Sequence, residues 1–386
     1  MILDGIGTGQ SRLNSLYADL SQCYEGGGTR HPAQGVVSVN RSTAQDGGRS
    51  LEQILEDFGQ RAAPLELDRQ LPEVMRRCLA DGQADLPLPG QGQTLQRWRA
   101  LAQVAGNDLA LLKLFEGHTD AKAILAELGA LHLDSPGIWG VWAAEPPTAR
   151  VRIVGREHGA VQLSGTKAWC SGALQIDHAL LTAWDEDDRP QLVALALTQG
   201  DLRIDSDDWQ ARGMATTASV SVHLDGARAH CVGPSGAYVQ RPGFWHGGAG
   251  IAACWYGAAR TLAETLRQAC AGPRNDPHAQ AHLGAVDAAL ASAAAGLREC
   301  AAWIDAHPRA DAEFNVRRTR ALVEAAVVQV QWHVGRALGA TPFCRDPRFA
   351  RLSADLPVFI RQSHAERDLA ELGRQLHGRD PQGWCL

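Results

Sequence analysis

The chain reads as an α+β fold, mainly α. It combines an N-terminal helical domain, a central antiparallel β-barrel or sandwich, and a C-terminal four-helix bundle. Three observations predict this. Apolar residues follow a helical period from about Leu51 to Leu133, switch to alternation between about Gly137 and His230, and return to the helical period from Pro242 to Leu376. Clusters of Pro, Gly and Asp fall at the switches and between the periodic runs. The final third holds long periodic stretches with short connections, the pattern of an up-and-down bundle. At 386 residues the chain can bury a large core. The expected division is a flexible leader over 1–50, a helical domain over 51–136, a β domain over 137–235 and the bundle over 236–386.

The leader is rich in Gly, Ser, Thr, Gln and Asn and has little apolar periodicity. In the helical domain, Leu51, Ile54, Leu55 and Phe58 share one face, as do Leu71, Val74, Met75 and Cys78. Pro87-Leu88-Pro89-Gly90 interrupts the run, and Leu95–Ala105 and Leu109–Leu128 read as two further helices. In the β domain, Val151 with Ile153, Val161 with Leu163, Leu192 to Leu197, and Val220, Val222 and Leu224 read as strands. The bundle carries stripes at Ile251, Trp255, Ala258, Leu262 and Leu266, at Leu283, Val286, Leu290, Leu297 and Ile304, and at Val323, Val327, Val330 and Val334. A fourth helix is expected over roughly Leu356 to Leu376, with breaks at 272–277, His307-Pro308 and 339–342.

The formal charge of −6 leaves no basic footprint for nucleic acid. No apolar run reaches membrane-spanning length, and no basic start with an apolar h-region reads as a signal peptide. Nine cysteines are scattered without a Cys-x-x-Cys, which fits a reduced, cytoplasmic chain without structural zinc.

The most informative stretch is Gly165-Thr166-Lys167-Ala168-Trp169-Cys170-Ser171-Gly172. It follows the alternating Val161-Gln162-Leu163, so a tight Gly-Thr-Lys turn is expected to present Trp169 and Ser171 from the end of a strand. An aromatic face with a hydroxyl two residues on suits a flat heteroaromatic ring with polar edges.

These residues resemble the flavin-contacting strand of the acyl-CoA dehydrogenase superfamily, and further motifs follow in the family's order. Trp142-Ala143-Ala144-Glu145-Pro146 resembles a Thr-Glu-Pro turn at the flavin. Gly213-Met214, with a strand ending in Asp225-Gly226-Ala227-Arg228, resembles a Gly-Met…Asp-x-x-Arg stretch. Arg241-Pro242, with Gly247 and Gly250, resembles the start of the first bundle helix. Leu338-Gly339-Ala340, seventeen residues before Asp355, keeps the spacing of a Leu-Gly-Gly…Arg-Asp segment. The resemblance covers about residues 90–376. It implies FAD as cofactor, held by Trp169, Cys170, Ser171 and Ala144, with Arg336 and Gly339 near the phosphates. It also implies an acyl-CoA or other small-molecule substrate, an electron-acceptor flavoprotein or a flavin reductase as partner, and a homodimer or homotetramer.

The departures bear on chemistry. α,β-Dehydrogenation of an acyl thioester needs a carboxylate base at the α-carbon while hydride passes to flavin N5. The family's Glu position, counted from Asp355, is Ser363, within Gln362-Ser363-His364-Ala365. Along the first bundle helix the chain offers Trp245, His246 and Tyr256, and no carboxylate before Glu264. Ala144 lacks the hydroxyl of the expected Thr, and the Arg-Lys-x-Phe-Gly run is absent. His364, one residue past the lost Glu, is the replacement base on this reading. His118, in Phe115-Glu116-Gly117-His118, is a second candidate.

A flavin-dependent dehydrogenase is therefore the first reading. One branch of the same superfamily comprises reduced-flavin-dependent monooxygenases. This chain resembles them in Cys170-Ser171-Gly172 and in histidines replacing the carboxylate. In that case His364, His118 and Ser171 would serve hydrogen bonding and proton transfer to activated oxygen, and FMN becomes an alternative to FAD. A non-catalytic, flavin-poor scaffold is the third reading. Glu145 is expected to end the turn before Pro146, and Glu116 to line or bound a cavity. Arg317-Arg318-Thr319-Arg320 is expected as a solvated basic face or a site for a CoA phosphate.

Overall fold

The computed structural model describes residues 48–62, 66–207, 209–272, 276–380 and 382–385. The expected leader lies outside them except for its last three residues. From Gly48 on, the chain forms one compact unit.

Four helices come first: α1 (Leu51–Arg61), α2 (Leu67–Ala80), α3 (Thr94–Asn107) and α4 (Leu109–Glu127). Ser50 and Gln53 close a capping box at the start of α1, and Leu51, Ile54, Leu55 and Phe58 are buried. Leu71, Met75 and Cys78 of α2 are buried, whereas Val74 is only partly so. Asp108 ends α3 and caps α4 by accepting from the Ala110 and Leu111 N–H groups, both at 2.9 Å. Fourteen of the nineteen residues of α4 are buried, because it runs between the helical layers and the β domain.

The strands are β1 (Trp139–Trp142), β2 (Val151–Glu157), β3 (Ala160–Cys170), β4 (His178–Trp184), β5 (Pro190–Ala196), β6 (Leu202–Asp205) and β7 (Val220–Cys231). The pairings β4–β2, β2–β3, β3–β7, β7–β5 and β5–β4 close a ring, so the β domain is a barrel. β1 joins the outside of β4, and β6 joins β7. The expectation of a wholly antiparallel sheet needs correction: β1 runs parallel to β4, and β2 meets β4 in parallel at Arg152 and Trp184. The chain arrives at β1 directly from α4, on the side of β4 that no hairpin occupies.

The expected turn at Gly165-Thr166-Lys167 is also corrected. β3 runs without interruption through these residues, with Gly165 opposite both Val151 and Leu224. Gly165 has φ +125°, and a Cβ there would overlap the Arg150 carbonyl, so glycine lets the strand pass. The register with β7 shifts on either side of this run, between Leu163 and Ser164 and between Lys167 and Cys170. The second shift, a bulge, puts Trp169 at φ +61°.

The C-terminal region contains α5 (Ala237–Gln240), α6 (Gly243–Cys270), α7 (Pro277–Ala306), α8 (Glu313–Leu338), α9 (Thr341–Arg345), α10 (Pro347–Phe359) and α11 (Glu366–Leu376). Helices α6, α7 and α8 pack side by side, and α3 lies against α6. Val323, Val327, Val330 and Val334 all face the core. The single helix expected over 356–376 is two helices. α10 starts at Pro347, capped by Asp346, and the chain breaks at Ser363-His364-Ala365 before α11. Ala365 has φ +45°, a left-handed position without glycine, so tertiary contacts hold the break.

Candidate active site

Two cavities adjoin between α4, β1 and the start of the bundle. The larger, about 530 Å³, is lined from α4 by Lys113, Glu116 and Asp120, from β1 and its exit by Val141 and Ala143, and from α6 by Phe244, Trp245 and Ile251. Arg317 and Arg320 of α8, together with Gln362, His364 and Asp368, complete the wall. The smaller, about 380 Å³, shares Asp120, Arg241 and Gly247 with it and is bounded by Gly90, Glu127, His246 and Arg309.

The larger cavity is both aromatic and charged. Tyr238, Phe244 and Trp245 meet edge to face, with centroids 5.6 and 5.4 Å apart. Lys113 contacts Glu116 at 2.8 Å. Burial opposes the Lys113 charge but Glu116 offsets it, and the lysine pKa is raised. Burial pushes the Glu116 carboxyl up, with Lys113 pulling the other way. Asp120 is held by the buried Arg97 at 2.8 Å, Asp368 by Arg317 at 2.5 Å, and Arg241 by Glu127 at 2.6 Å. Each of the carboxylates Glu116, Asp120 and Asp368 is thus committed to a cation.

The structure brings His364 to this wall. Its side chain is 66% exposed, and its Nδ1 lies 3.8 Å from Asp368. Its backbone N–H donates to the other Asp368 oxygen at 3.1 Å. The break before α11 places it there. Ser363 is buried and points away: its hydroxyl donates to Glu324 of α8 and accepts the Ala365 N–H at 3.0 Å. It secures the junction, so the residue at the family's Glu position, a candidate catalytic residue by that position, has no free proton-accepting role here.

His118 does not join them. It is 2% exposed and accepts the Trp139 N–H on Nδ1 at 3.2 Å, tying α4 to β1. Burial, then the nearby Lys122, lowers its pKa to about 4, so it is neutral. Neither cavity is lined by it.

Trp169 and Ser171 stand at the end of β3. The Trp169 ring is 57% exposed and meets Trp209 edge-on at 6.3 Å. The Ser171 hydroxyl lies 2.7 Å from that of Ser219, which lies 3.0 Å from that of Thr217. Thr217 donates to the Met214 carbonyl, and the Met214 N–H donates to Asp355 of α10 at 2.5 Å. A chain of hydrogen bonds therefore runs from the bundle to Ser171. Close approach makes this docking possible, since a Cβ at Gly213 would overlap the Ala354 carbonyl. Burial raises the Asp355 pKa to about 6. Cys170 is buried, its thiol pushed up to about 12 by burial, so it packs and does not react. Ala144 is exposed, one residue beyond the cavity-lining Ala143.

Arg336 and Gly339 are not part of this assembly. Arg336 stacks over Trp332 at 4.7 Å, and Gly339 caps the end of α8. Sixteen helical residues separate Arg336 from Arg320, a span of about 24 Å.

Several site residues were not singled out in the sequence. Lys167, expected in a turn, is 1% exposed. Its Nζ donates to Thr182 Oγ1 at 2.7 Å and to Glu145, which also accepts from Thr182 and from Trp184 Nε1 at 3.0 Å. Glu145 thus anchors the exit of β1 to β3 and β4, beyond the expected end-of-turn role. Lys113 and Phe244 carried no motif, and Arg241 was read only as part of the start of the first bundle helix. Arg317 and Arg320 belong to the basic cluster expected as a solvated face or a site for a CoA phosphate; both line the cavity, and Arg318 turns away, toward Glu299. Their i, i+3 spacing was the available signal.

No protein-family profile and no characterised protein sequence matches the chain. Solved structures do. Methanesulfinate monooxygenase MsuC from Pseudomonas fluorescens is 19% identical with a TM-score of 0.69, covering 84% of this chain and 94% of its own. TdsC from Paenibacillus sp. A11-2, solved with FMN and indole, is 18% identical with a TM-score of 0.69, covering 86% and 97%. The nitrososynthase from Micromonospora carbonacea var. africana is 15% identical with a TM-score of 0.72, covering 85% and 95%. At these identities the likeness establishes the fold, which is acyl-CoA dehydrogenase-like.

Proposed function

We propose that the chain is a reduced-flavin-dependent monooxygenase acting on a small aromatic substrate. One observation carries this reading over dehydrogenation. The cavity presents an accessible imidazole, His364, whereas each of its carboxylates is held in an ion pair with a lysine or arginine. Solved structures of the same fold include an FMN complex, which favours FMN over FAD.

The strand end suits a flavin ring. A Trp held in a left-handed bulge leaves more than half of its surface uncovered, and a hydroxyl stands two residues on. Trp169 would stack on the ring and Ser171 would bond its polar edge, with the Ser219–Thr217 relay fixing the hydroxyl. Ala144 offers backbone only. Bound and reduced, the flavin would supply the chemistry of dioxygen activation. His364 would carry the proton on its imidazole, with Asp368 orienting the ring, and Phe244 and Trp245 would exclude water. Reduced flavin would come from a partner reductase. The exposed Val328 and Trp332 on the outer side of α8 suit pairing of two copies through the bundle.

The test is anaerobic titration of the FMN-loaded protein with a panel of acyl-CoAs, followed by visible absorbance. Retained flavin colour is the expected result. Bleaching by any thioester would establish the dehydrogenase instead, and failure of the protein to bind FMN would leave the scaffold.

A further inference from the structure

We infer that the larger cavity selects an aromatic anion, with Arg320 as the residue that meets its charge. Four cations line this cavity, and three are neutralised: Lys113 by Glu116, Arg241 by Glu127, and Arg317 by Glu313 and Asp368. Arg320 has no carboxylate within ion-pair distance among the described residues. The nearby Asp368 is taken by Arg317, and Glu324 by Arg361 and Ser363.

Arg320 uses one guanidinium nitrogen on the Gly248 carbonyl at 2.6 Å and the other on the Gln362 carbonyl at 3.2 Å. These bonds fix the group between α6 and the turn after α10; Asp368 and Glu324 support its charge from beyond ion-pair distance, and no carboxylate touches it. Solvent reaches part of the side chain through the cavity, while the protein around it opposes the charge. Its plane lies over Trp255, 4.7 Å from the ring centroid, which stabilises the cation without cancelling it. The Trp255 Nε1 is itself buried with no acceptor. Burial opposes this charge more than the distant carboxylates support it, and a ligand anion in direct contact would lower that cost. Arg is suited to it because unused N–H donors remain on the fixed plane.

The rest of the wall defines the body of that ligand. Tyr238, Phe244 and Trp245 form an edge-to-face aromatic row on the same cavity. A planar ring bearing a carboxylate, sulfinate or phenolate would satisfy both features. This inference rests on reading the cavity as the substrate chamber, and it separates the substrate's charge from that of the flavin.

The experiment is calorimetric titration of the full-length protein, with and without FMN, using benzoate and its neutral isostere benzamide. Benzoate is expected to bind at least about tenfold more tightly than benzamide, and Arg320→Gln to remove that preference while leaving FMN affinity within about threefold. Arg320→Lys, which keeps the charge, is expected to retain a reduced preference, and it stands in if the Gln variant does not fold. Equal binding of the two probes by the unaltered protein would overturn the inference. So would a preference that survives Arg320→Gln, or a variant that loses FMN while keeping benzoate. Should the protein bind no FMN, the proposed function fails, whereas the benzoate preference of the flavin-free protein still decides this inference.

Discussion

The end of β3 and the junction before α11 both carry candidate chemistry, yet they are built in opposite ways. At the end of β3, position follows from the backbone. Strand pairing on both sides holds Gly165 to Lys167, one bulge turns Trp169 outward, and Ser171 follows. At the junction the local hydrogen bonds, Ala365 N–H to Ser363 and His364 N–H to Asp368, run through side chains that distant residues hold. The run Ile360–Leu376 contains no proline, and its one glycine lies well inside α11. Side chains from α8 hold it instead: Glu324 takes Ser363, and Arg317 takes Asp368. The comparison teaches that the first site is encoded in a short motif, and the second in contacts between distant segments.

The comparison can be broken most strongly at the junction. Replacing His364 with Ala should lower oxygenation of substrate by about 10²–10⁴-fold at unchanged FMN affinity. His118→Asn, which keeps an acceptor for the Trp139 N–H, should leave turnover within about threefold and lower stability by about 1 kcal/mol. Turnover assays with chemically reduced FMN separate the two histidines, and equal losses would contradict their placement.

Next in size is the anchor behind the strand end. Lys167→Met strips Glu145 of its cation, and should cost about 2–3 kcal/mol in urea unfolding. That is less than for a fully enclosed pair, because Glu145 keeps 30% exposure.

Asp355 links the two regions. Asp355→Ala leaves the Met214 N–H unsatisfied and should cost about 1–3 kcal/mol, whereas Asp355→Asn keeps an acceptor and should cost less. Burial raises the Asp355 pKa from 3.8 to about 6. The folded state therefore binds the proton more tightly, and this group's stabilising contribution is complete below about pH 4 and lost as pH rises through about 6. Asp355→Asn should remove that component from a pH series of unfolding midpoints. An unchanged slope between pH 4 and 6 would contradict it.

The smallest effect is expected at Ser363→Ala, about 1 kcal/mol, with faster proteolytic nicking near Ala365. Mass mapping of the fragments reads it directly.

The legible parts of the molecule are those with local period. The stripes of α1, α6 and α8 and the alternation in β2, β3 and β7 can be read from side chains alone. β1 and β6 were not, because four residues are too few to show a period, and β1 gains its place by lying parallel to β4. The central run of β4 is buried on both faces, so its side chains do not alternate. The strand-end motif was legible because its residues adjoin. The cavity was not, because Lys113, Arg241, Arg320 and His364 come from four separated segments and meet only after folding. Resemblance led to His364, and the structure supplied its place beside Asp368, which accepts its backbone N–H.

The central claim is tested most directly by supplying the protein with enzymatically reduced FMN and ¹⁸O-labelled dioxygen, together with a panel of small aromatic acids. Mass spectrometry of the products then reads the outcome. The account predicts one labelled oxygen atom in a product, formed by the unaltered protein and nearly absent with His364→Ala. Label in the product that His364→Ala forms equally well would contradict it, as would reduced flavin consumed with no labelled product from any acid.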